Sequence, residues 1–346
     1  MNTYIINGKF MAEPMQGIVR YARELLLSLD KILDNNSNIT LAIPRNSKNV
    51  PNYRNIKVSI IGKNIGIKWE QFDLRKFVVN SNATCVNLCN VSPLFVKPGI
   101  TVIHDVMYKV NPSHYVSFRN KISRIWHMLQ YEYLTRHEKI IITVSEYSKR
   151  DIEKYYPKSV GKIKVISNGW QHVKSYQESS DWRIRFPFAQ PNEFYFTLAT
   201  LAKNKNGKWV LNVAKNNPSS IFIMAGRKYE GETIEIPQNV YQVGYISDDD
   251  ACALIKHSKA FLFPSLYEGF GIPPLEALAL GAEVISSNTT SLPEVLGNSV
   301  HYIDPYDYDI NLEQILSESI DAPEIVLSRY SWDISAKKFL DILKSN

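Results

Sequence analysis

The feature that most limits how this chain can fold is a repeated alternation of short apolar runs with helical patterns such as Gly17–Leu33. Seven runs in the first half predict strands, at Tyr4–Ile6, Ile39–Ile43, Ile56–Ile60, Thr84–Leu88, Ile100–Ile103, Ile140–Val144 and Ile163–Ile166. Six more follow, at Phe194–Leu198, Ile221–Ala225, Val240–Val243, Ala260–Phe263, Glu283–Ser286 and Val300–Ile303. Apolar strands that alternate with helices are typical of a parallel sheet covered on both faces. The sequence therefore predicts an α/β fold with two doubly wound domains.

The boundary between the two series is marked by a change in composition. Residues 171–191 are polar and rich in Ser, Gln and Pro, which favours a linker. We predict one domain over 1–170 and a second domain over 192–330. A length of 346 residues is sufficient for two domains, each with its own hydrophobic core. The content of 45% hydrophobic and 21% charged residues is that of an ordinary globular protein.

Charge is divided unevenly between the two halves. Residues 1–170 hold 25 Lys and Arg against 12 Asp and Glu, a net charge of +13, whereas residues 171–346 carry −7. A basic domain suits nucleic acid, an anionic membrane face or a phosphorylated acceptor, or it is simply solvated. The chain has no helix-turn-helix, zinc-finger or basic-aromatic pattern, so we expect no nucleic-acid partner.

The same composition bears on the compartment. No apolar run approaches the roughly 20 residues that span a bilayer, and the start MNTYIINGKF lacks a signal-peptide pattern. The three cysteines, Cys85, Cys89 and Cys252, have neither metal-site spacing nor an even count for disulfides. We therefore expect a cytoplasmic protein, with contact to the inner face of the membrane as a further expectation from the basic half.

The segment Phe261–Leu280, FLFPSLYEGFGIPPLEALAL, carries the strongest signal for a binding site. An apolar strand is followed by turn formers from Pro264 to Gly271, and Pro273 and Pro274 then open a helix, where a missing N–H costs nothing. A helix start behind a glycine loop offers unpartnered N–H groups and the positive end of the helix dipole. The segment therefore predicts a site for an anion such as a phosphate.

Two glutamates, Glu268 and Glu276, flank this anion site with seven residues between them. Carboxylates beside a phosphate repel it unless they bind something else, and the hydroxyls of a sugar or a ribose are natural partners. The local inference is a sugar-nucleotide pocket. A helix cap with two solvated glutamates is the alternative that the short Glu-Gly-Phe-Gly motif leaves open.

The longer run Tyr267–Val295, YEGFGIPPLEALALGAEVISSNTTSLPEV, resembles glycosyltransferase family four, and the resemblance extends from the first strand to the last helix. It implies the GT-B fold, in which two Rossmann-like domains face a cleft and the last helix, within 331–346, crosses back onto the first domain. By this resemblance, 1–170 is the acceptor-side domain and 192–330 is the nucleotide-sugar-binding domain. It also implies a retaining enzyme that uses a nucleotide-diphosphate sugar as co-substrate and needs neither a cofactor nor a metal.

The resemblance assigns the donor diphosphate to a lysine and to the loop amides. Lys205 and the N–H groups of Phe270, Gly271 and Ile272 would hold the diphosphate and stabilise the charge that develops as it leaves. Asn204 stands where the family has an arginine, and an amide does not replace a charged fork of donors. Whether Lys203 supplies the missing charge stays open.

Further roles follow from the same resemblance. Glu276 would bind the ribose, Glu268 the hydroxyls of the transferred sugar, and Tyr245 and Ile246 would lie against the nucleotide base. In the first domain, His104 would contact the sugar, although a histidine after an apolar strand is more often a buried core group. Gly17 resembles the glycine turn beside the leaving phosphate, of which the chain keeps one glycine, because Gln16 takes the place of the other.

Two charged segments need separate interpretation. Asp248, Asp249 and Asp250 could suggest a metal, but Ser247 followed by acids in a first helical turn is better explained as an N-cap. Residues 117–140 mix basic and large apolar side chains, which fits either a membrane-surface helix or a half-buried one.

The sequence thus predicts a glycosyltransferase, a hexosyltransferase with GDP-mannose as the first donor to test. It would transfer sugar to a hydroxyl of a glycan or lipid-linked glycan in surface polysaccharide assembly, as a cytoplasmic or peripheral membrane protein. Two alternatives stay open: a sugar-nucleotide 2-epimerase on the same scaffold, and a non-catalytic sugar-nucleotide binder.

Overall fold

The computed structural model describes residues 3–34, 37–115, 117–199, 202–226 and 235–345, apart from the side chains of residues 114 and 119. The chain divides into two compact units. Unit 1 comprises Met1–Gly169 and Trp332–Asn346, and unit 2 comprises Trp170–Ser331. Residues 171–191, predicted as a linker, lie in unit 2, where Trp182 is buried.

All thirteen predicted strands are present. Unit 1 contains β1 Tyr4–Asn7, β2 Ile39–Ile43, β3 Lys57–Ile60, β4 Thr84–Asn87, β5 Ile100–Val102, β6 Ile140–Thr143 and β7 Ile163–Val165. Unit 2 contains β8 Phe194–Thr197, β9 Ile221–Ala225, β10 Val240–Gly244, β11 Ala260–Phe263, β12 Val284–Ser287 and β13 His301–Ile303. Most of these strands are buried along their length, which explains why continuous apolar runs predicted them.

The helices lie between the strands and after the last of them. In chain order they are α1 Gly17–Ile32, α2 Gly66–Lys68, α3 Arg75–Asn80, α4 Met107–Val110, α5 Phe118–His137, α6 Glu146–Tyr155, α7 Trp182–Arg185, α8 Gly207–Asn216, α9 Asp248–His257, α10 Ile272–Ala279, α11 Leu292–Leu296, α12 Leu312–Leu316, α13 Pro323–Leu327 and α14 Trp332–Ser345. A π-helical segment, Trp69–Leu74, joins α2 to α3, and short 3-10 helices include Gln171–Ser175 and Lys203–Lys205. Within the described residues, no helix combines the length and the apolar character that a bilayer crossing requires.

Both sheets are parallel and doubly wound. Their strand orders are β3-β2-β1-β4-β5-β6-β7 in unit 1 and β10-β9-β8-β11-β12-β13 in unit 2. In each sheet the order reverses once, between β1 and β4 and between β8 and β11. Ligands of such sheets bind beyond the carboxyl ends of the strands at this reversal. The predicted fold class is confirmed for both units, and the reversal in unit 2 indicates where its site lies.

The last helix completes unit 1. The phenol of Tyr4 on β1 donates to the carbonyl of Leu343 on α14 at 2.6 Å, and Ser335 donates to the carbonyl of Ser167 at 2.6 Å. The ring of Trp332 lies edge-on to that of Tyr21 on α1, with centroids 6.0 Å apart. Helix α14 is therefore fixed to the first strand and first helix by both polar and aromatic contacts.

Candidate functional site

The two loops at the strand reversal of unit 2 carry five of the residues that the sequence singled out, Asn204, Lys205, Glu268, Phe270 and Gly271. The chain leaves β8 and reaches the 3-10 helix Lys203–Lys205, while the chain that leaves β11 enters the loop Pro264–Gly271. Because β8 and β11 are neighbours in register, the two loops emerge side by side. The main chains meet as well, since the N–H of Leu266 donates to the carbonyl of Asn204 at 2.8 Å.

The loop after β11 ends in a glycine turn that opens α10. Gly271 adopts φ +91° and ψ +61° as the residue that precedes the helix, a left-handed conformation that favours glycine. A Cβ atom at this position would lie 2.5 Å from Cδ2 of Leu292. Both the backbone angles and the space therefore require glycine here, and the predicted helix start with its two prolines is confirmed.

This turn presents unused donors. No described residue accepts a hydrogen bond from the N–H groups of Phe270, Gly271 or Ile272. Pro273 and Pro274, the next two residues, have no N–H group at all. Three amides at the positive end of α10 are thus available to an external acceptor, which is the chemistry of a phosphate site.

A lysine pairs with the carboxylate of Glu268, two residues before the first of these amides. The Nζ atom of Lys205 is 2.6 Å from Oε1 of Glu268 and 5.5 Å from the ring centroid of Phe263, at the end of β11. The exposed fractions of the two charged side chains are 32% and 14%. The structure thus brings together Lys205 and Glu268, for which the resemblance implies separate roles on one donor.

The loop backbone is held by side chains that the sequence reasoning did not single out. The amide of Asn206, a residue in the left-handed region, donates to the carbonyls of Pro264 and Pro305 at 3.1 and 3.0 Å. The hydroxyl of Thr290 accepts from the N–H of Glu268 at 3.1 Å, and that of Ser291 donates to its carbonyl at 3.0 Å. These bonds hold the backbone N–H and the carbonyl of Glu268 in place. The position from which its side chain leaves the backbone is therefore fixed.

The second glutamate has a partner from outside the motif. Oε1 of Glu276 lies 2.6 Å from Nε2 of His172, and the exposed fractions of the two side chains are 13% and 3%. Because a carboxylate only accepts, Nε2 carries the proton in this bond. His172 belongs to the segment that composition predicted as a linker, and no short-range pattern pointed to it.

The two residues predicted to contact the base lie farther along the sheet edge. Tyr245 and Ile246 follow β10, which is separated from β8 by β9. Tyr245 is 84% exposed. The next residue, Ser247, caps α9 by accepting from the N–H of Asp250 at 3.1 Å, so the predicted N-cap is confirmed. The carboxylate of Asp250 pairs with Arg185 on α7.

The remaining predicted residues belong to unit 1. Gly17 is exposed and begins α1 after Gln16, whose side chain makes no capping hydrogen bond. His104 is buried, with Nε2 3.0 Å from the carbonyl of Leu88 and the ring edge-on to Tyr21 at 4.8 Å. Burial lowers the pKa of His104 to about 4, so the ring is neutral at pH 7. A contact of this ring with a sugar would therefore use Nδ1 as an acceptor, because Nε2 donates to Leu88.

A bound metal ion would need several ligating side chains close together in the part of the chain that the structure describes. In that part, no group of three or more His, Cys, Asp or Glu side chains is placed to hold an ion. The metal independence implied by the resemblance stays a prediction.

Comparison with known proteins places this geometry in context. Residues 178–321 match the family model described as glycosyl transferases group 1, and that range contains β8 to β13 and both loops of the site. The chain is similar to two Escherichia coli proteins. It is 27% identical over 226 residues to the serotype-specific mannosyltransferase WbdA, and 26% identical over 239 residues to O-antigen chain mannosyltransferase B.

These matches are partial in length. The first covers 60% of this chain and 27% of WbdA, and the second covers 63% of this chain and 60% of the relative. Among solved structures, Alr3699/HepE of Anabaena in complex with UDP-glucose aligns over the whole of both chains with a TM-score of 0.66 and 17% identity, which concerns the fold alone. The matches confirm the predicted enzyme class, a glycosyltransferase, and the GT-B class of fold.

Proposed function

We propose that the chain is a retaining glycosyltransferase of family four that moves a hexose, mannose in the first instance, from a nucleotide-diphosphate sugar to a hydroxyl of a glycan or lipid-linked glycan. The observation that carries this proposal is the ion pair of Lys205 with Glu268 at the strand reversal of unit 2, just before the amides of 270–272, which donate to no described residue. The similarity to two proteins named a serotype-specific mannosyltransferase and an O-antigen chain mannosyltransferase supports the sugar and the polysaccharide role.

The groups divide according to charge. The amides and Lys205 are donors and would receive the diphosphate, whereas Glu268 and Glu276 are acceptors and would bind hydroxyl groups. As the bond between the anomeric carbon and the phosphate oxygen breaks, negative charge grows on the leaving diphosphate, where fixed donors stabilise it most. The acceptor oxygen forms the new bond to the anomeric carbon and its proton passes to the departing phosphate oxygen. No protein nucleophile and no metal take part in this scheme.

The scheme is tested by following a donor with and without an acceptor. We expect GDP-mannose, or another donor selected by thermal shift, to be consumed with an oligosaccharide acceptor, and the product to keep the anomeric configuration of the donor in NMR spectra. Conversion of donor alone into an epimer would replace the proposal with a 2-epimerase. Donor binding in calorimetry without transfer or hydrolysis would instead indicate a non-catalytic binder.

We further propose that the protein binds the membrane surface peripherally through unit 1. Along the first three turns of α5, Phe118, Ile122, Ile125 and Leu129 recur at helical spacing and are 52 to 79% exposed. Phe95, which lies outside α5, extends this surface. Its N–H donates to the hydroxyl of Tyr133 on α5 at 3.0 Å, and its side chain is 70% exposed. An exposed apolar stripe of this kind calls for a covering partner.

Charge favours an anionic bilayer as that partner. The guanidinium of Arg75 lies 5.5 Å from the ring centroid of Phe95, and Lys121 is exposed one turn from Ile125. Apolar side chains that enter the interface together with cations that meet anionic headgroups describe peripheral binding. We expect sedimentation with vesicles of phosphatidylcholine and phosphatidylglycerol but little with phosphatidylcholine alone.

Variants distinguish binding through this surface from nonspecific binding through any exposed apolar side chain. The double change Ile125→Ser and Leu129→Ser should abolish sedimentation, whereas Ile184→Ser in unit 2, at an apolar side chain that is 81% exposed, should not. Equal sedimentation of the double variant and the wild type would refute the membrane surface. Self-association of the wild type in the ultracentrifuge that the double variant loses would assign the stripe to a second copy instead.

A further inference from the structure

A buried histidine supports the glutamate assigned to the ribose. His172 and Glu276 meet at 2.6 Å although 104 positions separate them in the chain. Both side chains are largely buried, unlike an exposed pair, in which solvent screening removes most of the interaction. The bond therefore fixes the carboxylate of Glu276 to a second segment of unit 2.

That second segment is itself rigidly attached. Trp170, two residues before His172, donates through its indole N–H to the carbonyl of Leu327 at 2.9 Å, and Gln171 donates to the carbonyl of Tyr330 at 3.0 Å. The hydroxyl of Ser175 donates to the carbonyl of His172 at 2.7 Å and closes the 3-10 turn. The imidazole thus projects from a backbone that is fixed on both sides.

The attachment also leads back to the phosphate loop. The ring of Tyr330, whose carbonyl holds Gln171, lies edge-on to that of Phe270 with centroids 5.2 Å apart. Phe270 supplies one of the three available amides. The segment 170–172 and the loop of the anion site are therefore parts of one packed arrangement, and His172 is built into the site from a part of the chain outside the motif.

We propose that His172 is a positioning residue of the nucleotide subsite. By holding Glu276 in place, it makes the site bind a ribonucleotide more tightly than the same nucleotide without the 2′ and 3′ hydroxyls. This inference rests on the proposed function, because it requires that a nucleotide binds there. A glutamate side chain has several rotamers, and a donor fixed at Oε1 selects one of them before the ligand arrives. A carboxylate accepts about four hydrogen bonds through its two oxygens, so one bond from His172 orients the group without exhausting its capacity.

The test compares a nucleotide with its counterpart that lacks the ribose hydroxyls. Among ADP, GDP and UDP, the one that most raises the melting temperature is titrated by calorimetry together with its 2′,3′-dideoxy form. For the wild type we expect the ribonucleotide to bind at least about tenfold more tightly, the value of one to two hydrogen bonds to a charged acceptor. In His172→Leu the ratio should fall below about threefold, mainly through weaker binding of the ribonucleotide.

Two variants distinguish positioning from packing. His172→Gln keeps an N–H donor near the place of Nε2 and should restore most of the selectivity. His172→Asn is polar but too short to reach Glu276 and should behave like the leucine variant, which keeps the test decisive if His172→Leu fails to fold. As a matched control, His257→Leu removes a histidine from another His–Glu pair of unit 2, at 2.8 Å from Glu178, and should leave the ratio unchanged.

Each other outcome overturns the inference. An equal loss of affinity for both nucleotides in His172→Leu would mean that the histidine only supports the fold, and an unchanged ratio would mean that Glu276 needs no support. A wild type that binds both forms equally would show that the ribose hydroxyls are not read at all. A wild type that binds none of the three diphosphates would instead remove the proposed function, and the inference with it.

Discussion

The ion pair between Lys205 and Glu268 makes opposite predictions for two related ligands. In the structure, the lysine assigned to the diphosphate is bound to the carboxylate assigned to the sugar, at 2.6 Å. A nucleoside diphosphate must therefore compete with Glu268 for Lys205, whereas a complete nucleotide sugar can also offer hydroxyl donors to Glu268. The substitution Glu268→Gln should separate these two effects, since it removes the charge and keeps the shape.

The structure bounds the size of each effect. Because Lys205 is about one-third exposed, the pair is partly screened and contributes no more than about 1 kcal/mol, so releasing the lysine should strengthen binding of the diphosphate alone by up to about fivefold. Loss of a hydrogen bond from a sugar hydroxyl to a charged acceptor costs about 1.5–3 kcal/mol. The sugar's contribution to affinity should therefore fall by about tenfold to a hundredfold.

Calorimetry measures both quantities on one protein. GDP and GDP-mannose, or the matching UDP or ADP pair, are titrated into the wild type, Glu268→Gln and Glu313→Gln. Glu313 is a fitting control because it pairs with Lys259 in the same unit at 2.5 Å, away from the loop, and both of its affinities should match the wild type. If Glu268→Gln weakens the diphosphate as much as the nucleotide sugar, the division of roles between the two side chains is wrong.

Three further predictions concern stability and protonation. Gly271→Ala should lower the free energy of unfolding in urea by about 2–4 kcal/mol, because strain at φ +91° adds to the overlap with Leu292. The control Gly281→Ala, at φ +80° but with open space around the new Cβ, should lower it by only about 1–2 kcal/mol. Equal losses in the two variants would refute the overlap. Ser247→Ala removes the N-cap of α9 and should cost about 1 kcal/mol in the same assay, and no loss would contradict the cap. His104 has a folded pKa of about 4 against an ordinary value of 6.5, so its contribution to stability is complete above pH 6.5 and is lost as the pH falls towards 4. Its imidazole signals in NMR spectra should show no titration between pH 8 and 5.5, and a midpoint near 6.5 would contradict its burial.

The fold was predictable because its signal is local. Strands that are buried on both faces are largely apolar, so most of the thirteen appear in the sequence as short apolar runs, whereas β3 and β10 are partly exposed and contain polar residues. The loop and helix of the site were predictable for a related reason. Gly271 and the two prolines after it have few structural uses other than a turn that opens a helix, and the structure has that turn with the left-handed angles that only glycine adopts readily.

The supports of the site were not predictable, because they depend on contacts between distant residues. Composition marks 171–191 as polar and says nothing about the meeting of His172 with Glu276, or about the burial of Trp182. In the same way, the sequence could not show that Lys205 and Glu268 form an ion pair, since their contact depends on which strands are neighbours.

Helix α5 shows a different limit of sequence patterns. Its apolar residues recur at helical spacing, which a half-buried helix and a membrane-surface helix share. The structure buries Tyr131 and Leu134 of this helix in the core of unit 1 and leaves the stripe from Phe118 to Leu129 exposed. Periodicity identifies a face, whereas only the packing of neighbouring elements shows whether that face is covered.

The central claim is that the start of α10 and Lys205 receive a diphosphate. A crystal structure of the protein with the selected nucleoside diphosphate tests it most directly. The account predicts a phosphate oxygen within hydrogen-bonding distance of the N–H groups of Gly271 and Ile272, and Lys205 moved from Glu268 onto the phosphate. A nucleotide bound elsewhere, with the pair between Lys205 and Glu268 intact and the amides of 270–272 unoccupied, would contradict it.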